Sequence, residues 1–162
     1  MARATAVFSL LCLTASAIGA EKKPKQKWLK NYGQALSQAR KAGKPLLIVL
    51  DVPKEPRKRV EQVSLSRDKA NEALLSPYVL CHVDVTTRYG KKVAAAFEVK
   101  SFPHTAVIDR EGRSIIYSHS GSYTTKDWAH TLVTYRKGVW LGVETTVLDR
   151  QYRYKRRVVC RT

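Results

Sequence analysis

Cysteine is scarce: three occur in 162 residues, at Cys12, Cys81 and Cys160, and no two stand at Cys-x-x-Cys spacing. That excludes a multi-disulfide scaffold and a dithiol redox catalyst of the usual kind. Neither Cys81 nor Cys160 has a Cys or His at zinc-ligand spacing, because His82 adjoins Cys81 and would point to the opposite face of a strand. No metal site and no cofactor are therefore expected. The four histidines, His82, His104, His119 and His130, form no His-Glu-x-x-His pair, and neither a Gly-x-Ser-x-Gly elbow nor a phosphate-binding glycine loop occurs. A hydrolase finds no support. Negative charge is also in deficit, with 13 Asp+Glu against 30 Lys+Arg and a net charge of +17. Such a field attracts anionic surfaces and polymers without choosing among them, and it also serves solubility alone.

The one apolar run near the start is short. Arg3, then Val7 to Leu13, then the small residues Ala15 to Ala20 follow the order of a secretory signal, charged, apolar and then cleavable. Export after removal of residues 1–20 is the expectation, to a periplasmic or secreted location. The alternative, an uncleaved anchor, is poorly served by an apolar stretch shorter than ~18 residues. Cleavage removes Cys12 and leaves Cys81 and Cys160, either bridged across a long loop or kept as two separate thiols.

What is present reads as one α/β domain. Residues 21–27 are a charged lead-in. Trp28, Tyr32, Ala35, Leu36 and Ala39 fall on one helical stripe that Gly43 stops. Leu46 to Leu50 are continuously apolar, the form of a strand buried on both faces. Arg57 to Leu75 supplies a helical crossover to the strand Tyr78 to Val85, and Tyr89 to Phe97 a further short helix. The runs 104–108 and 114–118 flank Asp109 to Arg113 as an antiparallel hairpin, and a last helix opens at Thr125. The order is α-β-α-β-α-β-β-α in a domain spanning 28–138, followed by a basic C-terminal extension, 139–162.

That order, together with Gly43-Lys44-Pro45-Leu46-Leu47, Val83-Asp84-Val85, Val99 to Thr105 and Ile108 to Gly112, resembles the thioredoxin-like superfamily, closest to its exported members. The resemblance implies a three-layer α/β/α fold around a central mixed sheet. It also places the family's two redox cysteines at Pro53 and Pro56, so that Cys-x-x-Cys becomes Pro53-Lys54-Glu55-Pro56, with Val52 in place of the tryptophan. Proline supplies no thiolate and no resolving thiol. It does fit the first turn of a helix. By the same resemblance Pro103 takes the place of the cis-proline, and Val52, Lys54, Glu55, Arg57, Phe102, Pro103, His104 and Gly121 would line a groove.

The expected function is then a non-catalytic binding or chaperone-like module for a protein, an extended peptide or an anionic partner, by strand addition at a sheet edge. A groove kept as a relic without a ligand is the bland alternative. The enzymatic alternative is an atypical thiol-disulfide oxidoreductase using Cys81 or Cys160 alone. His104 reads as a packed or hydrogen-bonding residue, and Asp51 and Glu55 as ordinary surface partners for lysine. In the tail, Arg150, Arg153, Lys155, Arg156 and Arg157 interleave with Tyr152 and Tyr154. That mixture suits an anionic polymer or a membrane surface, or is a solvated arm or added edge strand. Export argues against nucleic acid.

Overall fold

The computed structural model describes residues 27–60 and 69–140; residues 1–26, 61–68 and 141–162, including the expected signal, Cys160 and the basic tail, lie outside the described residues. Helix α1 spans Tyr32–Ala42, β1 Leu46–Asp51, a single 3-10 turn Pro56–Lys58, α2 Lys69–Leu75, β2 Val79–Asp84, α3 Arg88–Ala96, β3 His104–Ile108, β4 Ile115–Ser120 and α4 Thr125–Tyr135. Four strands among the described residues form one sheet in the order β2-β1-β3-β4, with β1 parallel to β2 and antiparallel to β3, and β3 antiparallel to β4. The mixed, helix-flanked sheet is the architecture that the resemblance implies.

Sequence punctuation sets the helix ends. Asn31 Oδ1 accepts from Gln34 N at 3.0 Å and starts α1, and Gly43, left-handed at φ 59°, ends it. Thr87 Oγ1 accepts from Gly90 N at 2.9 Å at the head of α3. Thr124 Oγ1 accepts from Asp127 N at 3.1 Å and donates to the Asp127 carboxyl at 2.6 Å at the head of α4. Trp28 is not part of the first helix. Leu29 instead bridges Cys81 in parallel, and its N–H donates to Leu80 O at 2.9 Å, so the chain adds a stub of edge strand before Asn31 caps. Backbone donors beside an open sheet edge outweigh the helical spacing of one indole.

The core divides by strand face. Leu46, Ile48 and Leu50 pack with Cys81, Val83, Ala106 and Ile108 against α1 and α3, while Leu47 and Val49 pack with Leu80 and Val107 against Trp128 and Leu132 of α4. This is why β1 is apolar at every position and does not alternate. Two hydrogen bonds pin helices to partners outside their own element: Tyr89 Oη accepts from Tyr32 N at 2.7 Å, and Tyr78 Oη donates to Leu132 O at 2.7 Å.

Gly90 packs α3 against the end of β2, where an added Cβ would run into the Asp84 carbonyl; nothing lies within 4 Å of the same atom at Gly43. Gly90→Ala should therefore cost about 3 kcal/mol through forced backbone displacement. Gly43→Ala should cost about 1 kcal/mol, from its positive φ alone. Urea unfolding of the two variants checks that order.

Candidate functional site

Every segment of interest lies at one end of the sheet, and the strand register puts it there. Leu50 pairs with His104 and His104 with Ser120, so continuing the β1–β3 register places Val52 opposite Phe102. The Phe102–Pro103 peptide is cis, the geometry that the resemblance implies. Pro103 O accepts from Gly121 N at 2.8 Å, which ties the end of β4 to the loop before β3. The turn after β1 closes on itself: Val52 N donates to Lys58 O at 2.9 Å, Glu55 N to Val52 O at 3.0 Å, and Lys58 N to Glu55 O at 2.9 Å. Pro56 occupies the first position of the 3-10 turn, where a missing N–H costs nothing, and Pro53 precedes it.

Among the positions singled out from sequence, Lys54, Glu55 and Arg57 are exposed, Pro53, Phe102 and Gly121 are half-buried, and Val52 and Pro103 are buried. Glu55 pairs with Lys58 at 2.8 Å, both well exposed, an ordinary surface contact as expected. The N–H and C=O of Phe102 have no hydrogen-bond partner among the described residues. An unpaired peptide group at a half-exposed position is free to bond an extended chain.

Asp51 overturns the reading of it as a surface residue. It is 1% exposed at the end of β1, where one carboxyl oxygen accepts from His82 Nε2 at 2.8 Å and the other from Val60 N at 3.1 Å. The Trp28 ring and the His82 imidazole form a T-shaped pair, centroids 6.2 Å apart. Register explains the contact, since Asp51 lies level with Asp84 and His82 precedes Asp84 by two on the same face. A signal was available in the sequence, for an acidic residue closing an all-apolar strand is at risk of burial. The partner, 31 residues on in the next strand, was not visible. Asp84 itself, near the surface, is held below the usual carboxylate range chiefly by the Thr86 hydroxyl, at 2.7 Å, and further by His82 and Lys54.

His104 is buried and hydrogen-bonded, Nδ1 to Ser120 Oγ at 2.7 Å. Burial first, and the neighbouring His119 second, hold its imidazole down to about pKa 4. Cys81 is fully buried in mid-strand, and burial pushes its thiol up to about 12. Among the described residues no three metal-binding side chains cluster.

Two predictions come from these polar groups. The depressed His104 pKa means that the unfolded chain takes up a proton between pH 6.5 and 4 that the folded chain refuses. Its contribution is complete above pH 6.5 and is lost as pH falls toward 4, by about 3 kcal/mol. Urea unfolding at pH 7 and pH 4 should show this extra loss in the wild type and not in His104→Gln; a loss equal in both proteins assigns it to other groups. Asp51→Ala leaves the Val60 N–H and the His82 ring without their acceptor and should lower stability by about 3 kcal/mol at pH 7.

The profile of a family described as Thioredoxin-like matches residues 27–110. Among solved structures, a thioredoxin from Thermus thermophilus superposes with a TM-score of 0.57 at 19% identity, covering 70% of this chain and 91% of that one. A protein described as DsbH oxidoreductase superposes at 0.52 with 13% identity, covering 80% and 94%. At such identities the likeness is one of fold. No curated protein sequence matches.

Proposed function

The chain belongs to the thioredoxin-like family, and from that premise we propose that it is an exported binding module that seats a protein segment or extended peptide without disulfide turnover. The observation that carries this reading is the turn after β1. Residues 52–59, Val-Pro-Lys-Glu-Pro-Arg-Lys-Arg, hold no thiol where the family's dithiol stands. The same turn keeps a closed backbone, with Phe102 beside it offering an unpaired peptide group. A surface that can bond a peptide main chain and lacks a nucleophile is suited to holding, in the manner of a chaperone, more than to exchange. Export rests on the order of charged, apolar and small residues in 1–20. No helix among the described residues is long and apolar enough to cross a membrane.

The second reading, an oxidoreductase working through one cysteine, has little help from Cys81. The attacking species is the thiolate, and a fully buried thiol with its pKa near 12 supplies almost none at neutral pH. Cys160 is the remaining candidate for that chemistry.

Insulin-disulfide reduction separates the readings. The full chain should give no turnover above the uncatalysed rate, and amide chemical shifts on titrating an extended peptide should move at Val52, Phe102 and Gly121. Turnover that persists in Cys81→Ala and disappears in Cys160→Ser would establish the single-thiol enzyme instead.

A further inference from the structure

The charge at this end of the sheet is lopsided, and the lopsidedness says what kind of peptide the site selects. Lys54, Arg57, Lys58 and Arg59 follow β1, Arg88 opens α3 just beyond β2, and Lys100 lies two residues before Phe102; all six are exposed. They therefore border Val52 and Phe102 from three separate segments. Against them stand fewer acids, of which Glu98 is exposed two residues before Lys100. Asp51 is buried beneath the turn on His82 and Val60, and Glu55 is already paired with Lys58. Asp84 sits within the field of Lys54, with its carboxyl bonded to Thr86. The side chains of Arg57, Arg59, Arg88 and Lys100 make no hydrogen bond or ion pair with another described residue. The opposite end, around the β3–β4 turn, is mixed in sign: Arg113 pairs with Glu111 at 3.3 Å, and Arg110 and Lys137 stand with Asp109 close by.

We propose that the site selects an acidic extended segment of a partner protein, whose main chain bonds at Phe102 while its carboxylates lie against Arg57, Arg88 and Lys100. The inference rests on the binding reading above and adds to it the class of peptide. Main-chain bonding at the loop before β3 supplies affinity to any extended chain but no selectivity between sequences. Selectivity has to come from side chains flanking the line of the bound peptide, and the segments that meet there carry exposed cations. Unpaired Arg and Lys keep their full field toward solvent, and complementary charge acts on encounter rate and on rejection of basic sequences before it acts on contact energy. Because alternate residues of an extended peptide point to opposite sides, a segment with acids in alternation can address either flank of the rim. An anionic polymer would satisfy the charges equally well. It would leave the Phe102 peptide group unbonded, and this favours a protein segment.

Fluorescence anisotropy with two labelled twelve-residue peptides tests the proposal, one alternating Glu with Val and one alternating Gln with Val. Full-length protein should bind the Glu peptide at least tenfold more tightly at 50 mM NaCl, with the preference shrinking severalfold by 300 mM as screening shortens. The triple variant Arg57→Ser, Arg88→Ser, Lys100→Ser should abolish the preference while still binding the Gln peptide. The triple variant Arg110→Ser, Arg136→Ser, Lys137→Ser, equal in charge removed and placed at the other end, should retain it. Equal loss in both triple variants overturns the proposal in favour of diffuse attraction by net charge. Equal binding of the two peptides by the wild type overturns the acidic preference and leaves the binding reading standing. Failure of both peptides to bind overturns that reading and this one with it. Displacement of the Glu peptide by a single-stranded oligonucleotide or by anionic vesicles at equal charge concentration would assign the rim to those partners and also overturn it.

Discussion

The burial of β1 is the constraint from which the other features follow. Leu46 to Leu50 are wholly buried, and the strand has neighbours on both edges and helices over both faces. Burying five large apolar side chains contributes on the order of 10 kcal/mol before the entropy of ordering them. It also obliges the sheet to be covered twice, so α1 and α3 occupy one side and α4 the other. Asp51, one residue further on, is carried inward by the same strand. A carboxyl there has to find donors, and His82 and Val60 are the donors in reach. The polar network at the site end is thus a consequence of the apolar strand that precedes it.

The layers and the order of elements are legible in the sequence because the signals are local and strong: an apolar run after Pro45, a glycine stop at 43, a turn at 109–113 and Thr125-Lys126-Asp127 opening the last helix. They place the strands and the hairpin within one or two residues. They miss where tertiary bonding decides the outcome. Trp28 had helical spacing, yet the edge of β2 captured Leu29 first. Asp51 had the composition of a surface residue, and only the register with β2 shows that His82 meets it. His104 was read as a packed, hydrogen-bonding residue, and Ser120 is its partner because β3 and β4 place them level. Long-range pairs of this type leave no trace in spacing along the chain.

The family likeness and the loss of the dithiol are compatible because the shape of the site end never depended on sulfur. Its turn is closed by bonds among Val52, Glu55 and Lys58, its loop before β3 by Gly121 and Pro103, and its two parallel strands by Val85 N donating to Asp51 O at 3.0 Å. All of these are main-chain bonds, indifferent to which side chains the turn displays. Replacing cysteine there leaves the surface standing. The remaining thiol among the described residues sits in the apolar layer under α1 and α3, where it packs as a small hydrophobe.

A surface kept by its backbone is free to change its electrostatics, and here that freedom has been used in one direction. A turn built around a low-pKa thiolate needs only enough positive field to hold one anion. The turn here and its neighbours present six exposed cations, with one of the flanking acids buried on a histidine and another already paired. Holding that many like charges close together costs stability through their mutual repulsion, and of the six only Lys58, on Glu55, forms an ion pair among the described residues. On the proposed reading, an acidic segment bound at the rim would offset that cost.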